Sequence, residues 1–148
     1  EDYIMDFLMD ILEVAIYSCL GIVLMLFGNF LIDLIIPCSF PEEIKRGNRA
    51  VGFVSAGTNI GVGILLKAAI ASPAAVESAK ETLLSGLSGS ILYFIIGIVF
   101  FMLGYLVIRF FNKQYNLNEE VGSGNMAAGI MVAGIFIGLA IVISGVIV

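Results

Sequence analysis

The sequence predicts an all-α integral membrane protein, with four transmembrane helices arranged as two tandem helical hairpins related by a pseudo-twofold axis along the membrane normal. Three observations carry this. The 148 residues are 60% hydrophobic and only 13% charged, with a mean hydropathy of +1.10, outside the range of a soluble globular domain. Four apolar stretches approach the roughly 20 residues that a bilayer core requires. The segment EEIKRGNRAVGFVSAGTNIGVGI from Glu42 returns as EEVGSGNMAAGIMVAGIFIGLAI from Glu119. Seventeen Gly and no Trp suit helices packed closely in lipid, leaving five Tyr for any interfacial belt.

Each span is helical because an open strand in hydrocarbon would leave its backbone polar groups unpaired. The first runs approximately from Val14 to Ile36. Ahead of it stand Glu1, Asp2, Asp6, Asp10 and Glu13, where a cleavable signal would carry basic residues, so no signal peptide is expected. Asp6, Asp10 and Glu13 share one helix face and read as a solvated collar, or else as a funnel for cations. The second span runs from Arg49 to Ala71, the third from Ser90 to Phe111 and the fourth from Met126 to Val148. Between the second and third, Ser72 as a cap and Pro73 at the first helical position open an amphipathic stretch to Leu84, with Gly86 and Gly89 as natural breaks. Lys45, Arg46, Arg49, Arg109 and Lys113 surround the loops joining spans one to two and three to four, against Lys67 and Lys80 opposite. The positive-inside rule then places those loops in the cytoplasm and both termini outside. Lys67, about one turn from the outer end, is expected to snorkel there. A start without Met and an end at Val148 without a polar tail suggest a piece of a longer product.

The repeat aligns at an offset of 77 residues. Glu42, Glu43, Gly47, Asn48, Ala50, Gly52, Ala56, Gly57 and Gly61 match Glu119, Glu120, Gly124, Asn125, Ala127, Gly129, Ala133, Gly134 and Gly138. Upstream the offset is 76, and Tyr17, Gly21 and Gly28 match Tyr93, Gly97 and Gly104. The chain is thus one membrane domain, residues 1–148, built from repeats 1–72 and 77–148. Each repeat has an even number of spans, so both insert in the same orientation. Gly57 with Gly61, Gly134 with Gly138, Gly52 with Ala56, and Gly129 with Ala133 are small-xxx-small pairs that let backbones approach. They are expected to bring spans two and four together near the axis, and would equally serve a homodimer.

The pattern EIKxGNxAxGxxxAGxxxG, at Glu43 to Gly61 and in weaker form at Glu120 to Gly138, resembles the bacterial YjfL-like membrane family, known as domain of unknown function three-fifty. The likeness covers essentially the whole chain. It implies a polytopic protein of the bacterial inner membrane with no established catalytic activity, and by association a role in envelope integrity under stress. The second copy departs from the pattern where Gly122 and Ser123 replace Lys45 and Arg46, so a charge-dependent role of the first loop is not shared.

Asn48 and Asn125 each precede an apolar helix and are expected to be N-caps, with a ligand role as the rival reading. Glu42, Glu43, Glu119 and Glu120 read as a solvated face or short interfacial helix, or as a docking surface for a cytoplasmic partner. Asp33 and Arg109 are repeat equivalents of opposite charge. Either each sits at the interface alone or they form an ion pair closing the inner end of the bundle. Ser55, Thr58 and Asn59 lie in the middle of span two, whereas their counterparts Val132, Ile135 and Phe136 are apolar. They read as interhelical glue or as a small hydrated path.

Cys19 and Cys38 are expected to be unpaired, and with no His no metal or cofactor site is expected. No side chains are set out for acid-base or nucleophilic work, so the chain is expected not to be an enzyme. A net charge of -5 argues against nucleic acid. Two functions remain. The favoured one is a homo-oligomeric membrane scaffold that engages a cytoplasmic partner through its loops. The alternative is a small ion or solute channel or transporter formed by an oligomer, and the shortage of mid-membrane charge stands against it.

Overall fold

The computed structural model describes residues 2–36, 38–80, 82–114 and 116–148. Glu1 of the acidic segment and Pro37 of the first loop lie outside the described residues. The chain folds into α1 (Asp2–Asp33), α2 (Phe40–Lys45), α3 (Arg49–Ala71), α4 (Pro73–Ala79), α5 (Leu83–Phe111), α6 (Leu117–Gly122) and α7 (Met126–Ile147), with no strand among the described residues. Among the described residues four helices are long and apolar enough to cross a membrane: α1, α3, α5 and α7.

α3 and α7 start where the asparagines place them. The Asn48 side chain accepts from the Val51 N–H at 3.2 Å, and that of Asn125 from Ala127 and Ala128 at 3.1 and 3.4 Å. The residues before each cap end a short helix by one mechanism in both repeats. Gly47 and Gly124 take the left-handed conformation, at φ +77° and +88°. The Asn48 N–H reaches back to the Glu43 carbonyl and the Asn125 N–H to that of Glu120, each at 2.9 Å, closing a Schellman turn. The EIKxGN motif is therefore a sharp joint between an acidic helix of six residues and a membrane helix.

α1 and α5 are longer than the expected spans. At 1.5 Å per residue, the 32 residues of α1 extend about 48 Å, beyond a hydrocarbon core of about 30 Å. Its first turns, with Asp6, Asp10 and Glu13, are exposed. α5 begins at Leu83 and runs unbroken through Gly86 and Gly89. The break falls earlier, because Thr82 caps α5 by accepting from the Ser85 N–H at 3.2 Å. Gly89 instead gives space: a Cβ there would stand 2.9 Å from the Ala75 Cα, so α4 lies directly against α5. Ser72 caps α4 through the Ala75 N–H at 3.3 Å, with Pro73 at its first position, as the sequence indicates.

The core runs along α3, the most buried of the four long helices. α7 and α5 pack on it, and α1 rests on its flank through Leu24, Gly28 and Ile32. Positions equivalent in the two repeats meet within each hairpin. A Cβ on Gly28 would lie 3.0 Å from Val62 of α3, and one on the equivalent Gly104 would lie 2.9 Å from Leu139 of α7. One residue on, Asn29 hydrogen-bonds Asn59, whereas their counterparts Tyr105 and Phe136 stack with centroids 4.7 Å apart.

Candidate functional site: a one-sided seam and a polar cleft

The closest backbone approaches are between α3 and α7, as the small residues foretell. A Cβ on Gly57 would lie 2.4 Å from the Ala133 Cα, and one on Gly129 would lie 2.5 Å from the Ala50 carbonyl oxygen. One on Gly61 would lie 2.9 Å from the Phe101 ring and 3.2 Å from the Phe136 carbonyl oxygen. At Gly57 and Gly129 only Gly permits the two helices to touch, because the obstruction is backbone.

This seam is one-sided. A twofold axis would repeat each contact with the repeats exchanged: Gly52 against Ala127, Gly134 against Ala56, Gly138 against Asn59. No described atom would lie within 4 Å of a Cβ on Gly52, Gly134 or Gly138. Ala56, Ala127, Gly134 and Gly138 are exposed. The seam thus joins one face of α3 to the opposite face of α7, and the expected like-on-like contact across a pseudo-twofold axis is not the contact observed. The reason lies in the stripes themselves: each helix carries two small faces, Gly57 with Gly61 and Gly52 with Ala56 on α3, and an unlike pair of faces packs as closely as a like pair.

The turns share the asymmetry. The Asn48 amide donates to Glu43 Oε2 at 2.9 Å and to the Val121 and Gly122 carbonyls of the other repeat, each at 3.2 Å. Asn125 donates to Glu120 Oε2 at 2.7 Å and, among the described residues, to no carbonyl of the first repeat. Glu43 also pairs with Arg46 at 3.0 Å, a local and exposed contact.

The second feature is a polar cleft between α1, α2 and α3, specific to the first repeat. Asn29, Asp33, Ser55, Thr58 and Asn59 line a cavity of about 210 Å³ together with Phe40, Pro41 and Ile44 of α2. Asn59 donates to the Ser55 carbonyl and accepts from Asn29, each at 2.8 Å. Ser55, Thr58 and Asn59 share the cleft with Asp33, which the sequence places at the interface or opposite Arg109, and with Asn29. Asn29 was not singled out, although an amide inside an apolar span needs a partner and so signals one.

The pairing of Asp33 with Arg109 is not formed. Asp33 enters the polar cleft, whereas Arg109 lines a separate cavity of about 440 Å³ with Lys113 and Asn116. Equivalence in a repeat fixes the same place within each hairpin, and under a one-sided seam equivalent places do not face each other. Near the cleft Cys38 is half-buried and unpaired; burial first, then the carboxylates of Glu43 and Asp33, push its thiol up from the ordinary range.

The chain belongs to the DUF350 family, whose model, described as Domain of Unknown Function (DUF350), matches residues 6–147. It is 25% identical over 138 residues to a UPF0719 transmembrane protein of Aquifex aeolicus (strain VF5), covering 93% of this chain and 50% of that protein. It is 22% identical over 135 residues to the UPF0719 transmembrane protein YshE of Bacillus subtilis (strain 168), covering 91% of this chain and 92% of that one. The chain therefore spans half the length of the Aquifex relative and nearly all of the Bacillus one. No solved structure matches.

Proposed function

We propose, with membership of this family of transmembrane proteins as the premise, that the chain is a non-catalytic building block that assembles with further copies of itself in the membrane. The contact between copies would be the one that joins the two repeats within the chain. The supporting observation is the one-sided seam: α3 shows an unused copy of the α7 contact face, Gly52 and Ala56, and α7 an unused copy of the α3 face, Ala127, Gly134 and Gly138. These are complementary by the same residues that already fit. α1 does not cover this face of α3, where Gly52 and Ala56 are exposed. Asn125 of one copy would then reach the Ile44 and Lys45 carbonyls of the next, as Asn48 reaches Val121 and Gly122. Such a contact is heterologous, and it builds rings or rows rather than closed twofold dimers.

In this reading the α2 and α6 turns lie side by side along one edge of the assembly. The basic residues gather at that end, which by the positive-inside rule faces the cytoplasm of the bacterial inner membrane and leaves both termini outside. The exposed Glu42, Lys45, Arg46 and Glu119 would there meet a cytoplasmic protein partner. A second reading, a conduit for ions or solutes between copies, draws on the polar cleft.

The test uses two blocked variants, Gly134→Ile and Gly52→Ile, each of which spoils one of the two open faces, with native mass spectrometry of protein released from nanodiscs. Wild type should appear as species larger than a dimer, each variant alone should be dissociated, and an equimolar mixture of the two should recover dimers through the one intact contact. A wild type that stays monomeric, or variants that assemble like wild type, would refute the proposal.

A further inference from the structure

We infer that the cleft between α1, α2 and α3 is a binding site for an alkali-metal cation. The inference is independent of how copies assemble.

The hydrogen bonds around the cleft fix which polar atoms of its lining residues are left without a partner. Asn59 must turn its amide nitrogen to the Ser55 carbonyl, so its oxygen faces α1 and requires the nitrogen of Asn29 opposite. That leaves Asn29 Oδ1 buried with no partner. Thr58 stands one position before Asn59, is 2% exposed, and its Oγ1 is likewise buried and unpaired. Leaving a buried polar atom unsatisfied is destabilising, and here two belong to residues that line one cavity. Ser55 adds a third neutral oxygen and Asp33, one helical turn beyond Asn29, adds a carboxylate with no cation bonded to it among the described residues.

The donor set selects the ligand. All the groups free to act are hard oxygens, which suit an alkali or alkaline-earth ion and not a thiophilic metal. One carboxylate matches a single positive charge, and the described residues hold no group of three acidic, Cys or His side chains of the kind a divalent ion would favour. A volume of about 210 Å³ leaves room for the ion with part of its water shell, at roughly 30 Å³ per water. Phe40, Pro41 and Ile44 wall the cavity from the α2 side. The second repeat has lost the site: Tyr105, Arg109, Val132, Ile135 and Phe136 stand at the equivalent positions.

The test is thermal unfolding of the chain in nanodiscs, in NaCl, KCl or choline chloride at equal ionic strength, for wild type, Asp33→Asn and Thr58→Val. Choline carries its charge on a nitrogen covered by four carbon substituents, which oxygen ligands cannot coordinate as they do an alkali ion, so it supplies the ion-free reference. Wild type should gain about 5 °C in saturating NaCl or KCl over choline, with a saturable dependence on concentration. Both variants should lose that gain. In choline Thr58→Val should match or exceed wild type, because it removes a buried hydroxyl that then has no partner, which separates loss of the site from loss of the fold. An equal melting temperature for wild type in all three salts would overturn the inference, as would a sodium or potassium gain that survives in both variants. Destabilisation by Thr58→Val in choline would assign the cavity to ordered water and overturn it equally.

Discussion

Gly57→Ala and Gly134→Ala make the same chemical change at equivalent positions of the two repeats, and the structure separates them sharply. At Gly57 the added methyl would stand 2.4 Å from the Ala133 Cα and 2.6 Å from its Cβ, whereas at Gly134 no described atom comes within 4 Å. Ordinary contact begins at about 3.4 Å, so α3 and α7 must part by about 1 Å, a gap that forfeits up to half of each dispersion contact along the seam. Overpacking of this kind costs about 1–3 kcal/mol. The gain in helix propensity from Gly to Ala, up to about 1 kcal/mol, applies to both and cancels in the comparison. Gly57→Ala should therefore be less stable than Gly134→Ala by about 2 kcal/mol. Reversible unfolding by SDS in mixed micelles, followed by helical circular dichroism at a dilution where the protein is monomeric, measures the difference. Adding Ala133→Gly should not restore Gly57→Ala, because the nearest obstruction is backbone. Equal stability of the two alanine variants, or full rescue by Ala133→Gly, would refute the seam.

Asn48→Ala should cost more than Asn125→Ala in the same assay, by about 1 kcal/mol, since both lose a cap but only Asn48 also bonds the carbonyls of the other repeat. Asn29→Leu and Asn59→Leu should be non-additive: either alone strands an amide, and the double variant should recover about 1 kcal/mol of the summed loss in a double-mutant cycle. Asp33→Asn and Arg109→Gln, in separate cavities, should instead add to within about 0.5 kcal/mol. Cys38, with its thiol pushed up by burial, Glu43 and Asp33, should react with maleimide more slowly than an unhindered peptide thiol near neutral pH, and Glu43→Gln should speed it.

The four membrane helices and both Asn caps are legible in the sequence, because lipid leaves the backbone few choices and an N-cap is a local chemical requirement. The start of α5 is less so. The helix face shared by Asp6, Asp10 and Glu13 already carries α1 outward beyond its span, whereas a span read at bilayer thickness gives no reason to extend α5 back through Gly86 and Gly89. There α4 packs on Gly89, and tertiary contact outweighs the low helix propensity of glycine. The stripes of small residues announce that α3 and α7 meet, but each helix carries two such faces and the sequence does not say which pair is used. The same ambiguity undid the pairing of Asp33 with Arg109. Three of the cleft's five polar residues, Ser55, Thr58 and Asn59, stand out in an apolar helix. The place of the other two, Asn29 and Asp33, depends on which face α1 turns to α3, which Gly28 sets by making room for Val62.

The central claim is that the contact inside the chain is repeated between chains, and disulfide crosslinking in native membranes tests it most directly. In a background with Cys19 and Cys38 changed to Ser, Gly134→Cys and Ala56→Cys are expressed as separate chains and then together. The repeated seam predicts a crosslinked dimer only when both are present, since Gly134 of one copy meets Ala56 of the next and neither meets itself. Gly134→Cys crosslinking to its own kind, or no crosslink in the mixture when both variants are inserted, would contradict it.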